Sequence, residues 1–185
     1  PLFTDALVAG KKLFLLSRAN PTPNVALGWW AIGTQVGAAL DKESPAFKGL
    51  PVSDFMDELW FRLVRQGAPD LAAKPLGSAY EPLFVGEGRD SYYLYLGQTR
   101  MKNSPVLVSY ALDLTQDAPE ATALLDSLVD YVKSDAFAPQ TQTQGVAAYR
   151  RVDPQGVVWG FQEYVEANMD DLEPWFTLYE SSAID

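Results

Sequence analysis

Tyr80-Glu81-Pro82-Leu83-Phe84-Val85-Gly86-Glu87-Gly88-Arg89-Asp90-Ser91-Tyr92-Tyr93-Leu94-Tyr95-Leu96 consists of two apolar, aromatic-rich runs on either side of a glycine- and charge-rich break. Runs of this length and make-up read as strands, here over residues 80–85 and 91–96, and a break this short joins antiparallel neighbours. A polar turn over residues 97–104 leads to a third strand, residues 105–112. These three strands decide the fold class, because the flanking segments read as helices that need a sheet to cover.

The clearest of those helices lies upstream. Phe55, Met56, Leu59, Trp60, Leu63 and Val64 form one stripe at helical spacing, with Ser53 as N-cap. Asp54, Asp57 and Glu58 sit in its first turns and Arg62 and Arg65 in its last, an order that complements the helix dipole. Gly67 stops it and Pro69 lies beyond. Downstream, Leu124, Leu125, Leu128, Val129 and Val132 make the stripe of a second helix over residues 119–134, opened by Pro119. Its outer face carries Glu120, Asp126, Asp130 and Asp135, opposed by Lys133 alone.

The rest of the chain is arranged around this centre. Residues 4–18 read as a helix, or as one that passes into a strand at residues 13–16. Residues 25–33 read as a buried strand and residues 41–51 as a polar loop. A Gln/Thr-rich linker, residues 139–144, leads to a hairpin of residues 146–152 and 157–165 around Asp153-Pro154-Gln155-Gly156. The expected fold is α+β: a single domain with a mostly antiparallel sheet of about five strands and helices packed on it. Residues 1–50 form an N-terminal extension of that domain, and residues 145–185 an acidic hairpin and tail.

Charge divides unevenly along the chain. Residues 1–110 hold 11 Lys/Arg against 10 Asp/Glu; residues 111–185 hold 3 against 14. The whole chain is 48% hydrophobic and 12% aromatic, which excludes a disordered acidic tail, since disorder needs low hydrophobicity as well as charge. The chain has no Cys and no His. That excludes disulfides, thiolate nucleophiles, Ser-His-Asp and Cys-His hydrolysis and His- or Cys-ligated zinc. Carboxylate-only chemistry remains open. Pro1-Leu2-Phe3-Thr4 lacks the pattern of a signal peptide, and the expected compartment is the cytoplasm.

Four local features carry chemistry in principle. Gly86-Glu87-Gly88 follows a strand, as a phosphate loop would, but no third glycine, lysine or helix follows, so a plain β-turn is the reading. Gly28-Trp29-Trp30 offers rings for stacking, yet its apolar neighbours favour a place in the core. Asp170-Asp171-Leu172-Glu173 lacks the alternating oxygens and central glycine of an EF-hand, so no metal site is assigned. Glu163 with Glu166, like Asp126 with Asp130, is a close carboxylate pair that reads as a solvated face, so no catalytic residue is named. What remains is collective. Glu163, Glu166, Asp170, Asp171 and Glu173, with Glu180 beyond, stand beside Tyr164, Trp175, Phe176 and Tyr179 with no Lys or Arg among them. Such clustered charge repels itself until a basic surface covers it, and aromatics among charges suit a protein interface. The expected partner-binding residues are Glu163, Glu166, Asp170, Asp171, Glu173 and Trp175; the alternative is that the acids serve solubility alone.

The run from Glu81 through Gly86-Glu87-Gly88-Arg89-Asp90-Ser91-Tyr92-Tyr93-Leu94-Tyr95-Leu96 to Ser104-Pro105-Val106-Leu107-Val108, followed by an acidic amphipathic helix, resembles the SUKH superfamily over residues 80–134. Leu50-Pro51 ahead of the upstream helix matches that family's entrance loosely, and Gln66-Gly67-Ala68 replaces its glycine-rich end. The resemblance implies an α+β interaction module without catalytic residues, of the kind that serves as bacterial immunity proteins and fungal regulators. The expected function is therefore a non-catalytic binding protein that needs no cofactor. Its partner would be a basic toxin or effector, not nucleic acid or membrane. A carboxylate-dependent enzyme on carbohydrate and a self-associating structural protein are the alternatives.

Overall fold

A computed structural model describes residues 6–7, 9–17, 37–39, 41–52, 63, 80–87, 92–110, 112–143, 145–152, 159–166 and 176–178. Its elements in chain order are β1 (Leu13–Ser17), β2 (Gly37–Ala39), β3 (Glu81–Glu87), β4 (Tyr92–Met101), β5 (Ser104–Ser109), α1 (Pro119–Lys133), β6 (Gln142–Thr143), β7 (Gly145–Val152), β8 (Trp159–Glu166) and β9 (Phe176–Leu178). The arrangement is α+β. The main sheet runs in the order β2-β3-β4-β5-β1-β9, with β6 joined to β4, and β7 pairs with β8 as a separate two-stranded ribbon. Apart from β1 beside β5 and β6 beside β4, the pairs are antiparallel. The helix expected from Ser53 and the strand expected over 25–33 lie outside the described residues, save Leu63, which is fully buried.

The meander of β3, β4 and β5 forms where the aromatic runs place it, but its second turn is far tighter than a polar stretch suggests. β4 continues through Gly97, Gln98, Thr99 and Arg100 to Met101, which pairs with Ser104 across the two residues Lys102 and Asn103. Lys102 takes the positive φ that so short a connection demands. The polar residues Gln98 and Thr99 sit in the strand because they are buried and bonded there, as described below.

The N-terminal segment resolves into both of its readings. Ala6 and Leu7 are helical, and the turn closes with Lys11 N–H donating to the Ala6 carbonyl and Gly10 N–H to that of Leu7. This is a Schellman end, with Gly10 in the left-handed region at φ 69°. From Leu13 the chain is strand. Leu13, Phe14 and Leu15 are all buried, so β1 is covered on both faces, as suits a strand paired in parallel within a sheet.

α1 starts at Pro119 behind an extended Ala118 and buries Leu124, Leu128, Val129 and Val132, while Asp126, Asp130 and Asp135 remain exposed. Each such apolar side chain contributes roughly 1.5–3 kcal/mol on burial. One polar residue on the buried side then fixes what the helix packs against. Ser127 Oγ lies 3.1 Å from the carbonyls of both Ala46 and Lys48, which docks a short 3₁₀ turn (Pro45–Phe47) on the helix. The stretch expected as a polar loop thus delivers Ala46 and Phe47 to the core. At the far end, Lys12 Nζ donates to the Ser134 carbonyl at 2.7 Å, a cation placed where the helix dipole is negative. Among the described residues no helix is long and apolar enough to cross a membrane.

Candidate functional site

Two of the six residues expected to bind a partner have a described backbone. Glu163 and Glu166 lie on β8, in register with Ala148 and Gly145 of β7. Asp170, Asp171, Glu173 and Trp175 lie outside the described residues, as does Gly28-Trp29-Trp30. The chain after Trp175 returns to the main sheet: β9 pairs with β1, Phe176 opposite Ser17.

Gly86 turns out to serve packing. It lies within β3, buried and in register with Tyr93, and a Cβ there would overlap the Cζ and Oη atoms of Tyr95. The glycine is what lets that ring lie across the strand, in tilted contact with Phe84 at 5.7 Å between centroids. Gly88 lies outside the described residues.

A polar constellation that the sequence reading missed joins β3, β4, α1 and the segment after α1. Glu81, the first residue of β3, accepts from the backbone N–H of Gln140 and, at 2.6 Å, from that of Thr141 through Oε1. Its Oε2 accepts from the Gln98 amide at 2.9 Å. Gln98 Oε1 in turn accepts from the Tyr131 hydroxyl at 2.7 Å. The segment expected as a linker is therefore held: Thr141 also accepts on its carbonyl from Arg100 N–H at 2.7 Å and Thr99 Oγ1 at 3.2 Å. It then forms β6 alongside Arg100 and Met101. One signal was available, since Tyr131 falls three and seven residues after Leu128 and Leu124, on the buried stripe. Its partners, remote in sequence, were not deducible.

The electrostatics follow from this geometry. Burial pushes the Glu81 carboxyl up, but the Thr141 N–H, the Gln98 amide and the Gln140 N–H together hold it below the ordinary carboxylate range. Burial raises the Tyr131 hydroxyl; the bond to Gln98 opposes this, and the charges of Glu81 and Asp41 add to it. Tyr131 is thus a neutral donor, and Glu81 a charged acceptor with its donors in place. Such a carboxylate has the reverse of the raised pKa a general acid needs. Among the described residues, no group of three or more Asp or Glu stands close enough to hold a metal ion.

The sign of the Glu81 shift gives a pH prediction. A carboxyl whose folded pKa is lowered contributes stability that is complete above its unfolded value, about 4.3 for Glu, and lost as pH falls through the folded one. The unsubstituted chain is therefore expected to exceed Glu81→Gln in stability at pH 7. That margin should narrow below about pH 4.3. Urea titrations of both proteins between pH 7 and pH 3 check this; a margin constant with pH contradicts it.

A family model described as a domain of unknown function (DUF8487) matches residues 4–149. The chain belongs to this family. The DUF8487 match takes in β1 to β6, α1 and the start of β7, so it includes Glu81, Gln98, Tyr131 and Gly86. It ends ahead of β8, and Glu163, Glu166, Asp170, Asp171, Glu173 and Trp175 all lie beyond it. No curated protein matches the chain.

Proposed function

We propose that this DUF8487 member is a non-catalytic protein-binding module whose acidic C-terminal part engages a basic protein. In its specific form it is an immunity protein that neutralises a basic toxin or effector in the cytoplasm. The charge distribution carries the reading: 14 acidic residues against 3 basic ones after residue 110, on a chain without His or Cys. Exposed Asp126, Asp130 and Asp135 on and beside α1 extend that negative character into the described fold. The likeness of residues 80–134 to the SUKH pattern supports the same class of function. So does the state of Glu81, which is engaged in holding backbone and is not poised for proton transfer.

Steering between opposite charges raises association rates by 10 to 1,000-fold and fades with ionic strength. The test is capture of partners by the tagged chain from its source cells at low salt, elution with high salt, and kinetics on the basic protein recovered. Neutralising Glu163, Glu166, Asp170, Asp171 and Glu173 to their amides should slow association with that protein by about 10-fold or more at low ionic strength. An empty capture at low salt, or an association rate indifferent to the amides, defeats the reading.

A further inference from the structure

We propose that Glu81 is a pin holding residues 138–142 as a strap over the edge of β4, so that its removal lifts the strap while the sheet stays folded. The geometry begins with a gap. β3 pairs with β4 only as far as Glu81 opposite Gln98, so the β4 backbone from Thr99 onward has no β3 partner on that side. Such an edge is a template for another strand unless something covers it. The segment after α1 does so: Thr141 takes the Arg100 N–H, and Gln142 and Thr143 pair with Arg100 and Met101.

The strap is anchored at both ends and pinned between them. Before it, Phe137 is buried against Tyr131, ring centroids 5.3 Å apart; after it, Thr143 is buried. Between these anchors Ala138, Gln140 and Gln142 are exposed, Pro139 is buried, and β6 is two residues long. A stretch with so little buried surface opens at low cost unless particular bonds hold it. Beside the neutral bonds that the Thr141 carbonyl takes from β4, the charge-assisted ones converge on one carboxylate, which takes two consecutive N–H groups of the strap and is itself steadied by Gln98 and Tyr131. Hydrogen bonds to a charged group are about twice as strong as neutral ones, so this residue dominates the strap's attachment. Because the strap leads directly into β7, the pin also fixes where the C-terminal acidic part joins the sheet. The inference is independent of whether that part binds a partner.

Amide hydrogen exchange on the full chain tests it, in Glu81→Leu and in Tyr131→Phe, which keeps the carboxylate but removes the hydroxyl that steadies Gln98. In Glu81→Leu the amides of Gln140, Thr141 and Arg100 should exchange at least about 10-fold faster, the loss expected for charge-assisted bonds. Those of Leu107 in β5 and Leu128 in α1 should be unchanged. Tyr131→Phe should accelerate the same three amides by a smaller factor. Unchanged exchange at the strap, acceleration spread evenly over sheet and helix, or a Glu81→Leu chain that fails to fold overturns the proposal.

Discussion

Gly86→Ala is expected to destabilise the chain by about 3 kcal/mol or more, the upper part of the range for overpacking a core. The added methyl would overlap the Cζ and Oη atoms of Tyr95, so one of the two has to shift. Tyr95 is almost fully buried and rests against Phe84, which in turn meets Phe47 edge-on at 6.4 Å. Its backbone is fixed as well. Leu96 pairs with Phe84 and Leu94 with Val85, so Tyr95 is the extra residue of a bulge, and its carbonyl accepts from Tyr110 N–H at 2.9 Å. A ring packed on both its backbone and its face moves only at the cost of those contacts, and the alternative is a shift of β3 from β4. The cause is separable from glycine's flexibility by a double-mutant cycle with Tyr95→Val. Tyr95→Val is costly alone because it empties a filled site. In that background Gly86→Ala should cost less than about 1 kcal/mol, a coupling of roughly 2 kcal/mol. Equal cost in both backgrounds, measured by urea denaturation, would show that the glycine makes room for something else.

Gly86 also shows where reading the sequence stops. β3 and β4 were legible because their apolar runs are separated by glycine and charge. α1 was legible because Pro119 and the stripe from Leu124 to Val132 are local signals of helix start and face. The turn after Leu96 was misplaced because Gln98 and Thr99 look like loop residues until their partners are known. Those partners are Glu81, Tyr131 and Thr141, brought together by topology and not by sequence spacing. The same holds for residues 139–144, whose composition reads as a linker although Glu81 holds their backbone. The acidic cluster was legible as composition alone. Charge counts give no positions, and of the six residues expected to bind a partner only Glu163 and Glu166 have a described backbone, both on β8. The parallel pairing of β1 with β5 had no local signal at all, since an apolar run such as Leu13–Leu16 fits a helix as well as a buried strand.

That pairing sets the second large effect. Phe14→Ala should cost about 3–5 kcal/mol, the usual loss for emptying a fully buried phenylalanine site. Phe14 has no exposed surface and stands opposite Leu107 of β5, with Leu13 and Leu15 buried on either side of it. β1 lies between β5 and β9, so a cavity there weakens a strand on which two others depend. Leu16, two residues along the same strand, is only partly buried and should cost about 1–2 kcal/mol when cut to Ala, because less apolar area leaves water on folding. Against the 5–15 kcal/mol that stabilises a typical domain, the first loss brings the chain close to unfolding at room temperature and the second does not. Urea titrations should show both as lower midpoints with an unchanged slope, since neither substitution alters the surface exposed by unfolding to any extent. If Phe14→Ala fell within about 1 kcal/mol of Leu16→Ala, β1 would be an edge laid against the sheet. If the gap is as large as expected, the N-terminal strand is part of the core that holds β5 in place beside β4.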